Sequence, residues 1–179
     1  MKYRRVVIPG ATYFFTLVTY QRRPIFSDPV AVEKLRAAFR FTMERMPFMI
    51  VASVILLDHM HFIWTLPAES GDFSTRWRLI KSQFTHHYLT GNAASESASR
   101  EKKRESDVWQ RRFWEHWIRD EADLRNHVEY IHYNPVKHGL AKTAAEWKCS
   151  SFMKYVQDGI YPVDWAGDVQ LFAGERFVE

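Results

Sequence analysis

The sequence predicts an α+β protein, an antiparallel sheet with helices on one face, followed by one more helix and an irregular C-terminal tail. Two observations carry this. Runs of β-branched and aromatic residues alternate with stretches of helical periodicity. Two of those runs, 48–57 and 59–66, follow each other so closely that a hairpin is expected.

Ala11 to Tyr20 (ATYFFTLVTY) reads as a first strand, broken by Arg22-Arg23-Pro24. Asp28 offers an N-cap and Pro29 a first helical position, and Val32, Leu35, Ala38, Phe39 and Thr42-Met43 keep helical spacing to about Arg45. Phe48 to Leu57 and His59 to Leu66 are strands two and three, with Asp58 at the bend between them. Asp72 or Ser74 can cap a second helix through Trp77, Ile80, Phe84 and Leu89. The segment 91–106 (GNAASESASREKKRES) is polar, charged and too long for an ordinary connection, which predicts a mobile loop. Val108 to Ile118 (VWQRRFWEHWI) is expected as a fourth, interrupted strand. Asp120 caps a helix beginning at Glu121, which Pro135 should end or kink and Gly139 should close. From Ala141 onward the chain reads as a packed tail with little regular structure. The order β-α-β-β-α-β-α matches, in its first six elements, the split βαβ or ferredoxin-like pattern. At 179 residues the chain suits a single domain over 1–179, with a core over 1–140 and a tail over 141–179.

Lys and Arg outnumber Asp and Glu by 25 to 21, for a net charge of +4 and a pI near 9.2. The excess is gathered into clusters, and aromatics reach 16% of the chain. Basic clusters interleaved with aromatics suit a polyanion with exposed bases. The lone cysteine, Cys149, excludes an intrachain disulfide and a cysteine-based zinc site, and agrees with a reducing cytosol. Only three apolar residues separate Arg5 from Pro9-Gly10, too few for a signal-peptide core, and no run reaches membrane-span length. A cytoplasmic protein with no membrane association is expected.

The third strand carries the chemistry. Side chains alternate across a strand, so His59 and His61 share one face while Met60, Phe62 and Trp64 take the other. A cation above the sheet is within reach of both imidazoles. On the last helix Tyr130 and Asn134 are one turn apart, about 40° around the axis, whereas Tyr133 sits about 100° from Asn134. Two imidazoles and an amide oxygen leave a divalent ion open positions for a phosphate oxygen. A tyrosine held beside that ion could attack phosphorus and keep the bond energy in a covalent link.

Asp58-His59-Met60-His61-Phe62 resembles the His-hydrophobic-His motif of the HUH single-strand nucleases. Glu129-Tyr130-Ile131-His132-Tyr133-Asn134-Pro135-Val136-Lys137-His138-Gly139-Leu140 is similar to the tyrosine-helix signature of REP-associated tyrosine transposases, relatives of the insertion-sequence transposases. The resemblance runs over nearly the whole chain and implies Tyr130 as nucleophile and His59, His61 and Asn134 as ligands of Mg2+ or Mn2+. It implies as partner a single-stranded DNA hairpin from a repetitive extragenic palindrome, and a bacterial protein at the nucleoid. The chain departs from the pattern at Asp58, where asparagine is expected, and in the length of the 91–106 loop.

Candidate DNA contacts are Arg4, Arg5, Arg22, Arg23, Lys81, Arg111 and Arg112, with Trp109, Phe113 and Trp114 for stacking on unpaired bases. The remaining histidines, His86, His87, His116, His127, His132 and His138, receive no role, although His132 and His138 could add to a metal site. A single-stranded nucleic-acid-binding module and a water-using phosphodiesterase stay open as alternatives. So does the choice between monomer and homodimer.

Overall fold

The computed structural model describes residues 7–90 and 108–166; Arg4, Arg5 and the expected loop 91–106 lie outside them. The elements are β1 (Thr12–Val18), α1 (Pro29–Arg45), β2 (Met49–Ile55), β3 (His59–Thr65), α2 (Phe73–Thr90), β4 (Trp114–Trp117), α3 (Glu121–Lys137) and α4 (Phe152–Gln157). The four strands form one antiparallel sheet in the order β2-β3-β1-β4. That is the order expected of the split βαβ pattern.

Alternation along the strands builds a different core on each side. Tyr13, Phe15 and Leu17 of β1 join Met60, Phe62 and Trp64 of β3 under α1 and α2. Phe14, Val54 and Ile63 point the other way and meet Val128, Tyr130 and Ile131 of α3. β3 is therefore buried on both faces, and its residues 59–64 are all buried. The helix pair covers one face as the sequence predicts, and α3 lies across the opposite one.

The helix starts follow their capping residues. Asp28 accepts from the Val30 amide with Pro29 at the first position, Asp72 Oδ1 from the Thr75 amide at 2.9 Å, and Asp120 Oδ1 from the Asp123 amide at 2.8 Å. The fourth strand is interrupted as expected: Trp109 bridges Thr19, and regular pairing resumes only at Trp114.

Two expectations need correction. Pro135 does not end α3, which runs on to Lys137. Its missing amide removes the one bond to the Ile131 carbonyl, and the bonds that follow it, such as His138 to the Asn134 carbonyl at 3.0 Å, keep the last turn closed. Gly139 (φ +68°) then closes the helix, with Leu140 donating to the Pro135 carbonyl and Gly139 to that of Val136, both at 2.9 Å. The tail is also more regular than expected. It contains α4, and Ser150 bridges Val54 at the outer edge of β2. The Trp147 indole donates to the Ile55 carbonyl at 2.9 Å and the Tyr155 hydroxyl to the Val51 carbonyl at 3.0 Å.

His132 fastens α3 to this tail, its Nε2 lying 2.9 Å from Ser151 Oγ. Burial pushes its pKa from 6.5 down to about 3. The unfolded chain takes up this proton below 6.5 and the folded ring only near 3, so the contribution to stability is complete above 6.5 and is lost progressively as pH falls toward 3. Urea unfolding at pH 7 and pH 4 is expected to show His132→Leu losing about 2–4 kcal/mol less than the wild type over that interval.

Candidate active site

The α3 side of the sheet gathers the polar residues that the sequence singled out. The register sets Thr16 opposite His61 and Val18 opposite His59. Thr16 Oγ1 is consequently 2.9 Å from His61 Nδ1. The residue at the bend, Asp58, brings Oδ1 to 2.6 Å from His59 Nδ1. A carboxylate only accepts here, so His59 carries its proton on Nδ1 and leaves the Nε2 lone pair bare. The Thr16 hydroxyl can hold His61 in the same tautomer. The two rings stand nearly perpendicular (83°), with centroids 5.2 Å apart.

Burial lowers the pKa of His59, against the opposing pull of Asp58. His61 is held well below the ordinary value, first by complete desolvation and then by the neighbouring positive charges. Both imidazoles are thus neutral near pH 7, the form that coordinates metals. Arg22 and Asp58 form an ion pair at 3.2 Å. Burial raises the Asp58 carboxyl, but hydrogen bonds and charge from His59 and Arg22 outweigh it and hold its pKa below the usual value.

Asn134 stays in the helix and is fully buried. Among the described residues neither its Oδ1 nor its Nδ2 has a hydrogen-bond partner, and the same is true of His59 Nε2 and His61 Nε2. Each such buried atom costs about 1–3 kcal/mol. Two bare imidazole nitrogens and an amide oxygen are a donor set that a divalent cation would satisfy, so these residues fit such an ion.

Tyr130, one turn before Asn134, is 1% exposed. Its ring lies 5.3 Å from that of His61 and 6.0 Å from that of Phe14, and Lys137 Nζ sits 5.1 Å from its centroid. The sequence offered His138 as a possible addition to a metal site and gave Lys137 no role. The His138 ring is 5.1 Å from that of His59. The helical spacing of Asn134 and His138, four residues, was the available signal.

A second polar group lies beyond Phe14. His116 and His127 flank Asp123, whose carboxylate oxygens are 2.9 Å from His116 Nε2 and 3.0 Å from His127 Nδ1. These three are the one group of three or more His, Cys, Asp or Glu side chains among the described residues whose ligand atoms lie close enough to share a metal ion. The two rings are nearly parallel (14°) with centroids 4.6 Å apart, which does not aim their lone pairs at one point. Asp123 also accepts from the amide and Nε of Arg119, at 3.0 and 3.3 Å. We read the group as a hydrogen-bonded clasp between α3 and β4.

The candidate DNA contacts separate by face. Trp109 is buried and Phe113 packs against the same core, under α1 and α2, away from Tyr130. That placement does not leave them available for stacking on bases. Lys81 lies on the same side; its Nζ donates to the Gln110 carbonyl at 2.9 Å, and burial lowers its pKa to about 8. Trp114 is on the α3 side, half-buried against Phe14 and stacked on His116. Arg22, Arg23, Arg111 and Arg112 are exposed. No helix among the described residues is long and apolar enough to cross a membrane.

A model of the family described as "Transposase IS200 like" matches residues 7–134. The chain belongs to this family. Transposases of the IS200-like family are generally metal-dependent. A REP-associated tyrosine transposase of Escherichia coli (strain K12) is 46% identical over 178 residues, covering 99% of this chain and 98% of the relative. A Haemophilus influenzae relative is 43% identical over 169 residues, 94% of this chain and 95% of its own. Among solved structures, a REP-associated tyrosine transposase bound to a REP hairpin superposes with a TM-score of 0.81 at 44% identity, covering 100% of this chain and 99% of that one. The protein is a transposase by family, with the α+β architecture of that structure.

Proposed function

We propose that this transposase cleaves and rejoins single-stranded DNA at hairpins formed by repetitive extragenic palindromes, through a 5′-phosphotyrosine link to Tyr130. The observation that best supports the chemistry is the packing of the Tyr130 ring against that of His61, which in turn meets His59, while His59 Nε2, His61 Nε2 and Asn134 Oδ1, one helical turn from Tyr130, are buried with no hydrogen-bond partner among the described residues. The hairpin substrate is supported by the 44%-identical structure, which is bound to one. The work of such an enzyme lies in the cytoplasm, at the nucleoid.

His59, His61 and Asn134 would hold the cation, Mg2+ or Mn2+, which when bound polarises a phosphodiester. The remaining chemistry belongs to the chain's own groups. Tyr130 Oη attacks phosphorus, the bond to O3′ breaks, and the phenolic proton ends on the departing 3′-hydroxyl. The phosphotyrosine retains a phosphodiester's energy, so a 3′-hydroxyl can reverse the step and rejoin a strand. His61 and Phe14 hold the tyrosine ring by edge contacts, and Thr16 and Asp58 fix the imidazole orientations. Lys137, lying over the ring, must move as the strand enters, and its ammonium then pairs with a backbone phosphate.

The test is a denaturing gel of wild-type protein with labelled single-stranded hairpin DNA. With manganese a protease-sensitive, covalently shifted band is expected, and with chelator none. Cleavage to a free 5′-phosphate with no shifted band would instead identify a water-using phosphodiesterase. Binding unaffected by chelator and never followed by cleavage would identify a binding module.

A further inference from the structure

Two consecutive residues other than glycine, Gln21 (φ 53°) and Arg22 (φ 51°), adopt the left-handed backbone conformation that L side chains seldom take. The turn they make is bolted to the bend before β3. Thr19 is fully buried, its amide donates to the Asp58 carbonyl at 2.9 Å, and its hydroxyl lies 2.8 Å from the Arg23 carbonyl and 2.9 Å from that of Asp58. Strain held in place by buried contacts points to a side chain that must sit where it does. Here that side chain is Arg22. Its Nη1 donates to Asp58 Oδ2 at 3.2 Å, while Asp58 Oδ1 accepts from His59 Nδ1 at 2.6 Å. Side-chain exposure falls along this chain from 44% at Arg22 through 21% at Asp58 to 3% at His59.

We propose that Asp58 and Arg22 are positioning residues for the cation site: Asp58 fixes His59 with Nε2 bare, and Arg22 fixes the Asp58 carboxylate. This rests on the ligand set proposed above. Each carboxylate oxygen already has a partner, and the one nearest the ring meets Nδ1, the nitrogen that the ion does not use. Asp58 therefore acts through His59. The sequence motif leads one to expect asparagine at this position. An amide oxygen could also accept from Nδ1–H, but it could not pair with Arg22, and it would leave the imidazole a weaker electron donor.

The experiment is Mn2+ binding to the full chain, without DNA, followed by electron paramagnetic resonance. Wild type, Asp58→Ala, Asp58→Asn, Arg22→Ala and His59→Ala are compared, with circular dichroism as the folding control. The dissociation constant is expected to rise roughly 10–100-fold in Asp58→Ala, and by less in Asp58→Asn and Arg22→Ala. The Mn2+ concentration giving half-maximal adduct formation should rise by the same factors, while saturating Mn2+ restores the wild-type plateau. A merely structural defect would depress the plateau itself. Unchanged affinity in Asp58→Ala, or a plateau that excess Mn2+ does not restore, would overturn the proposal. So would Asp58→Asn proving as damaging as His59→Ala, which would make the carboxylate a direct ligand. If His59→Ala leaves Mn2+ affinity at the wild-type value, the ligand assignment itself has failed, and the positioning roles fall with it.

Discussion

Tyr130→Phe is expected to abolish the covalent protein–DNA adduct, with strand cleavage falling at least about 10⁴-fold. The substitution deletes one oxygen and keeps the ring against Phe14 and His61. Packing and the three proposed cation ligands are left in place. Hairpin binding in chelator and Mn2+ affinity should therefore stay within about twofold of wild type, and circular dichroism should not change. Tyr133→Phe is the matched control, because it removes the same atom from a neighbouring tyrosine that shares the helix but not the face. It should form adduct at the wild-type rate. Adduct persisting in Tyr130→Phe and lost in Tyr133→Phe would transfer the nucleophile to Tyr133. Adduct persisting in both would remove tyrosine of this helix from the chemistry.

The parts of the fold that were legible in the sequence are those governed by local rules. Alternation put His59 and His61 on one face of β3 and Met60, Phe62 and Trp64 on the other, and the two core clusters divide in that way. Asp28-Pro29, Asp72 and Asp120 marked helix starts by the hydrogen bonds that they make. What was not legible depends on distant contacts. Trp109 and Phe113 look like any aromatics in a basic stretch, and only the position of α2 shows that they are core. The six residues of α4 are too few to announce themselves by periodicity; their helix rests on bonds from the tail to β2. Asp58 stood out as a departure from a motif, yet its partner Arg22 comes from a turn 36 residues away, strained in a way that no composition reveals. Pro135 misled because it costs the helix a single bond, to the Ile131 carbonyl, while the bonds on either side, such as that of His138 to Asn134, carry the helix on to Lys137.

His61→Ala should also abolish the adduct, but by a route that can be told apart from Tyr130→Phe. His61 is fully buried, and its Nε2 finds no hydrogen-bond partner among the described residues. Removing the ring leaves a cavity against Phe14 and strips Thr16 Oγ1 of its partner, which the relief of an unsatisfied Nε2 offsets only in part, so basal stability should fall by about 2–4 kcal/mol. The difference emerges when Mn2+ is added. A ligand that binds only the folded state stabilises it by about 2.7 kcal/mol at a concentration 100 times its dissociation constant. Wild type and Tyr130→Phe should both show that rise in thermal unfolding, whereas His61→Ala should show almost none. Lowering the pH extends the contrast. Protonated imidazole cannot coordinate, and burial depresses the pKa of both His59 and His61. Their lone pairs thus stay available below pH 6.5, and the Mn2+-dependent rise should persist below the pH at which an ordinary histidine pair would lose it. If His61→Ala kept the full rise, the ion would be bound elsewhere. The His116–Asp123–His127 group would then be the place to look, with Asp123→Asn as the variant to measure.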